Sequence, residues 1–260
     1  MNAAFQVPGE ALSVLPVPIL ITVFTSLVAG VIAMLLAIPT AFARLSRVTL
    51  IRSVATFYVE TIRGTPLLLQ LFVWYFGVSI LLSYVFGLTL VPPTYGLLNN
   101  VLTVLNSNNQ TGSLFSLING AGIVFATFGL GFNYGAYMSE VIRSGIESID
   151  PGQIEASHTL GLSGFQTARL IILPQALRIV IPPLTNNFIT LIQDSAFISI
   201  LGVTELSLAT QGQVQSGSNA LIRWEWFAIE LAIYFVLCYS LALVSRWYEA
   251  RSAHTLAGAH

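Results

Sequence analysis

From Val17 to Ala43 the chain carries no charged residue. That run exceeds the ~20 apolar residues an α-helix needs to cross a bilayer. Hydrocarbon offers no water to satisfy a backbone N–H or C=O, so such a run crosses as a helix, whose bonds are internal. Comparable runs recur, and we read spans at about 17–43, 52–82, 123–146, 179–201 and 226–244. Only 8% of the residues are charged, against about 25% in soluble domains. The expectation is an all-α integral membrane protein: residues 1–260 form one transmembrane domain of five helices, with a polar loop at 147–178.

All ten basic residues are arginine. Without lysine the chain lacks the residue a P-loop places on phosphates, and it cannot form a Schiff base. No basic run points to nucleic acid. The single cysteine, Cys238, lies in an apolar run and reads as core packing. His158, His254 and His260 show no metal-ligand spacing. No cofactor or metal is expected in this chain. The first sixteen residues hold neither Lys nor Arg, so the first run lacks a signal-peptide n-region.

The arginines also orient the chain. Arg44, Arg47, Arg52, Arg143, Arg169, Arg178, Arg246 and Arg251 fall on one side of a five-span arrangement, and Arg223 on the other. The positive-inside rule puts the first side in the cytoplasm, with the N-terminus outside and the C-terminus inside. Trp224, Trp226 and Trp247 lie where interfacial aromatics belong. The weakly polar segment 83–122 would face outside, with a short interfacial helix over 97–105. Gly202 to Arg223 reads as a polar connection.

The loop at 147–178 has clean helix punctuation. Asp150 is a good N-cap, Pro151 suits the first helical position, and Gln153 falls at N3. Gly161 can end that helix in the left-handed conformation. Ser163 caps a second short helix with Gln166 at its N3, and Pro174 prevents simple continuation. Two short helices around a tight glycine turn are predicted outside the bilayer.

Glu155-Ala156-Ser157, then Gly161, then Ile171, Leu173 and Pro174 resembles the signature of the permease subunits of bacterial ABC importers, with Ser157 in place of the signature's second alanine. Further stretches narrow the resemblance to the importers of polar amino acids, the histidine, glutamine, glutamate, arginine and opine group. They are Glu60-Thr61-Ile62-Arg63-Gly64-Thr65-Pro66 running on to Leu71, Asn133 to Tyr137 with Glu140, Arg143 and Gly145, and Leu191 to Ser195 with Gly202 to Leu206. Gln193 stands where relatives often carry lysine, and the loop after the second span is longer than usual. The resemblance implies a type I ABC importer permease fold. It implies that Glu155, Ala156, Ser157 and Gly161 belong to a coupling helix that docks into a cytoplasmic ABC ATPase dimer, which holds ATP and Mg. It also implies a second permease copy or paralogue, an extracytoplasmic substrate-binding protein and an amino-acid substrate, in the bacterial inner membrane among its lipids.

Charges inside a bilayer are expensive and mark functional sites. Arg63 lies eleven residues beyond Arg52, roughly 16 Å along a helix and so near mid-membrane. An intrahelical pair with Glu60 is its structural alternative. An amino acid is a zwitterion, and a site that desolvates it must answer both charges. The expected set is Arg63 for the carboxylate, Asp194 or Glu60 for the ammonium, and Thr65, Gln70 and Asn187 for neutral hydrogen bonds. Glu140 and Arg143 read as a helix-surface pair or an inner gate contact.

Two other classes compete. Gly161-Leu162-Ser163-Gly164 matches the short pattern of rhomboid serine proteases, but Ser163 lies in the loop and no histidine sits at membrane depth. An autonomous secondary transporter would need coupling-ion carboxylates and usually an inverted repeat.

Overall fold

The structure is a computed structural model and describes residues 11, 13–78, 81, 85, 120–217 and 220–257. The expected outer segment 83–122, its interfacial helix over 97–105 and the end of the second span fall mainly outside the described residues. Among those residues the elements are helices, with no strand.

Helix α1 (Pro16–Arg44) shows the inside-out pattern of a membrane helix. Leu20, Phe24, Leu27, Val31, Leu35, Ile38 and Phe42 are exposed, while Ala29, Ala33, Ala37 and Ala41 are fully buried. Large side chains at three- and four-residue steps face out, and small ones face in, where they let neighbouring backbones approach.

The segment expected as one second span is not one helix. Helix α2 (Thr49–Arg63) stops at Gly64, and α3 (Leu67–Phe72) begins after Pro66 and passes into a π-helical turn, Val73–Val78. Pro66 has no N–H and drives Thr65 out of the helical region, and Gly64 is a weak helix former. Helix α4 (Gly120–Glu147) follows, then α5 (Pro151–Thr159) and α6 (Gly164–Thr167).

Pro174 prevents simple α-helical continuation of the second loop helix, as expected, without ending the helical run. A π-helical segment, Ala168–Ile172, leads directly into α7 (Leu173–Asp194), which contains Pro174, Pro182 and Pro183. The wider π turn sits just where the Pro174 ring would meet the carbonyl four residues earlier, and this lets the helix run on. A 3-10 segment, Ser195–Leu201, extends it to Gly202, whose φ of 81° stops it. The connection expected at 202–223 also holds a helix, α8 (Leu206–Ser216), before α9 (Ala220–Ala257).

Among the described residues three helical stretches are long and apolar enough to cross a membrane: Pro16–Arg44, Gly164–Leu201 and Ala220–Arg251. Helix α4 has the length but carries Asn133, Glu140 and Arg143 in its second half.

The contacts divide the chain into two compact units. One comprises residues 1–31, 65–132 and 191–237. Its core gathers Ala11, Leu15, Leu206 and Trp226, with Ile19, Ile229 and Ile233 packed around them. Trp74 meets Phe132 edge-on at 5.2 Å, and a Cβ at Gly129 would stand 3.0 Å from Leu71. The other comprises residues 32–64, 133–190 and 238–260. Here a Cβ at Gly135 would lie 2.9 Å from Leu36 and 3.0 Å from the Tyr58 hydroxyl, and one at Gly145 only 2.1 Å from Val180. Glycine at these points is what lets α4 approach α1, α2 and α7.

Candidate functional site: the polar loop and a charged cluster

The loop is built by local chemistry. Asp150 accepts a hydrogen bond from the Gly152 N–H at 2.8 Å, with Pro151 beside it at the first helical position. At the other end of α5 the Gly161 N–H donates to the His158 carbonyl (3.0 Å) and the Leu162 N–H to the Ser157 carbonyl (3.1 Å). This is a Schellman closure, and Gly161 takes the positive φ it requires, 78°. Ser163 and Gln166 then form a reciprocal capping box, with bonds of 2.8 and 3.3 Å.

Ser157 faces inward. Its hydroxyl donates to the Ile154 carbonyl (2.7 Å) and lies 2.9 Å from the Thr167 hydroxyl, tying α5 to α6. Glu155 and Ala156 are exposed, and so is Gly161. Two large apolar residues flank the turn in the open, Leu160 at 81% exposure and Phe165 at 75%. A rigid polar unit with an apolar tip is suited to entering a cleft on another protein.

The second feature lies at the end of α1. Arg44, the last residue of that helix, has a side chain only 11% exposed and pairs with Glu140 and, at 3.8 Å, with Glu60. Glu140 also receives Arg143, which in turn binds Glu147, and lies 3.9 Å from Arg63. Arg63 stacks over Tyr137, 5.6 Å from the ring centre. Three guanidiniums thus share three carboxylates. Arg63 thus has partners beyond the Glu60 pair weighed from spacing. Its helix ends at that residue, and its partners, Glu140 and Tyr137, both come from α4. The Arg63–Glu60 pair weighed from spacing is replaced by Arg63–Glu140 and Arg44–Glu60. Glu140 and Arg143 are more than a surface pair, because Arg44 joins them to α1.

The other expected ligands come from several elements. Gln70 is buried and donates to the Thr65 carbonyl (3.1 Å) and hydroxyl (2.9 Å), bridging the break between α2 and α3. Asn187 is half-buried on α7, and Asp194 half-buried at its end. Arg63, Glu60 and Asn187 belong to one compact unit, and Thr65, Gln70 and Asp194 to the other.

Sequence reasoning gave no role to Glu205. Its side chain is fully buried at the N-cap of α8. It accepts from the Leu208 N–H at 3.0 Å and from the Tyr234 hydroxyl at 3.1 Å, and lies 3.3 Å from the Thr22 hydroxyl. Burial pushes its carboxyl up to about 7. The available signal was a glutamate just before a run of helix formers.

A capped, exposed loop unit between helices apolar enough to cross a membrane fits the permease subunits of ABC importers. Residues 29–254 match the model of the "Binding-protein-dependent transport system inner membrane component" family, and the chain belongs to this family. It is 35% identical over 231 residues to the L-cystine transport system permease protein TcyB of Bacillus subtilis (strain 168), covering 88% of this chain and 82% of that protein. It is 29% identical over 227 residues to the arginine transport system permease protein ArgU of Corynebacterium glutamicum, covering 87% and 64%. The fold matches the crystal structure of an amino acid ABC transporter with histidines, with a TM-score of 0.71, 28% identity, and 96% and 100% of the two chains covered. An inward-facing MetNI methionine ABC transporter gives a TM-score of 0.63 at 19% identity, over 92% and 98% of the chains, a likeness of fold alone. The chain is thus an inner-membrane transport subunit with the type I importer permease fold, and not an enzyme; ATP hydrolysis resides on a separate chain. Membership implies an ATPase and a substrate-binding protein as partners. The protease and secondary-transporter readings are not favoured.

Proposed function

We propose that this subunit carries a polar or charged amino acid, released to it by an extracytoplasmic binding protein, while α5 and the turn at Gly161 take the ATPase stroke. The observation that carries the reading is the loop unit: two capped helices closed by Gly161, with Leu160 and Phe165 exposed at the tip. The substrates named for the relatives, cystine and arginine, support an amino acid as cargo. The partner is an ATPase dimer holding ATP and Mg, and a second permease, identical or paralogous, completes the pathway. The chain crosses five times, with its N-terminus outside and its C-terminus in the cytoplasm. After Cys238→Ala, a cysteine at Asn108 should react with an impermeant reagent added outside and one at Ser252 should not; the reverse pattern overturns this orientation.

Arg63 receives the substrate carboxylate. It is the loosest cation of its cluster: its pair with Glu140 is 3.9 Å long and its side chain is 41% exposed. A guanidinium can grip a carboxylate with two parallel bonds. Glu60, 66% exposed, is the nearby anion available to an ammonium group. The test is uptake by vesicles holding the permease, the ATPase and the binding protein. Uptake of one or more polar amino acids should require both ATP and the binding protein. Uptake that persists without ATP would contradict the proposal.

A further inference from the structure

We propose that Glu205 is a positioning residue of the transport cycle, acting as a neutral, protonated carboxyl that clamps α8 onto α1 and α9. The clamp is visible in the bonds. Glu205 caps α8 through the Leu208 N–H, meets Tyr234 from α9 and Thr22 from α1, and Thr22 also accepts from the Leu206 N–H at 3.1 Å. The hydrogens favour a protonated group. The single hydroxyl hydrogen of Thr22 has two acceptors in reach, the Pro18 carbonyl at 3.1 Å and Glu205 at 3.3 Å. It can serve one of them. With a proton on Glu205, Thr22 donates to Pro18 and Glu205 donates to Thr22, and both contacts are hydrogen bonds.

The charges around the group point the same way. The titratable groups facing Glu205 are Glu230 and Tyr234, both from α9, and Glu230 is itself bound by Ser207. Thr22 of α1 and Ser207 of α8 are neutral. Among the described residues no arginine pairs with Glu205. An ionised Glu205 would have donors in the Ser207 and Leu208 N–H groups and the Tyr234 hydroxyl but no cation, and with the Glu230 carboxyl nearby its burial makes the charge costly. Burial, the leading cause, pushes the Glu205 carboxyl up from 4.5 to about 7. Ionisation near neutral pH therefore loosens α8. In the proposed topology, on which the transport part of this inference rests, α8 lies on the extracytoplasmic side.

Because the folded protein holds this proton more tightly than the unfolded chain, the contribution to stability is full below pH 4.5. It is lost as pH rises towards about 7 and constant above that. The experiment compares wild type with Glu205→Gln, which keeps the shape and the acceptor but cannot ionise. The Tm of the solubilised subunit should fall relative to Glu205→Gln between pH 5 and 7.5, and the infrared signal of a protonated carboxyl should be missing from the variant. In vesicles holding the full complex, the uptake ratio of variant to wild type should rise roughly thirtyfold from pH 6 to 8.5 on the binding-protein side, as the neutral fraction of the wild type falls. The stability readout needs no transport, so it can fail or succeed apart from the importer reading. Equal pH slopes in the two proteins overturn the proposal. So does a Glu205→Gln variant that fails to fold or to transport at low pH, because that would show the ionised carboxylate to be required.

Discussion

Arg63 illustrates what residue counting along a helix can and cannot reveal. Its charge was legible, and so was the reason to suspect a site, because an unexplained cation between apolar runs is expensive. Its partners were not, since Tyr137 and Glu140 lie 74 and 77 residues away in the chain. Glu205 is the opposite case. A glutamate before a helix looks like any solvated cap, and only Thr22 and Tyr234, brought from distant helices, make it a buried one. Asp150, Gly161 and Ser163 were readable because their partners lie within three residues. Arg63→Lys keeps the charge but loses the planar fork. It should leave complex assembly and basal ATP hydrolysis intact while uptake falls at least about tenfold, equivalent to ~1.4 kcal/mol. Normal uptake in both Arg63→Lys and Arg63→Gln would show that the guanidinium serves only its ion cluster.

Among the elements, the ends of α1 follow the apolar run closely, because length and hydropathy set a membrane helix. The irregular elements escaped. Pro174 is absorbed by a π turn, and α8 hides within a connection whose composition is merely mixed. Both depend on backbone geometry that side-chain pattern does not encode. The crossing of α4 and α7 gives a sharp test of packing at this scale. The Val180 side chain lies where a Cβ on Gly145 would fall, 2.1 Å away, so something must shift to admit one. Gly145→Ala should lower stability by about 1–3 kcal/mol, the usual cost of overpacking. Trimming the obstacle in Gly145→Ala/Val180→Ala should recover part of that loss. A double variant whose Tm falls below that predicted by adding the two single effects would show that this contact is not the constraint.

For the whole molecule, charge and local geometry converge. In the proposed topology eight of the ten arginines fall on one side, and the capped loop falls with them, where an ATPase would reach it. The class of the protein was legible from these two features together with the family signature. The cargo was not, because the candidate ligands are common polar and charged residues whose types fit many amino acids. The claim that the loop transmits the ATPase stroke rests on the rigidity of the turn at Gly161. A Cβ there meets nothing within 4 Å, so a substitution acts through backbone strain and not through a clash. A β-branched residue held at φ 78° costs about 1–3 kcal/mol. The most direct measurement records uptake and ATP hydrolysis together in vesicles carrying Gly161→Val. The account predicts an assembled complex with basal ATP hydrolysis, no substrate stimulation and no uptake. Wild-type uptake in Gly161→Val would contradict it.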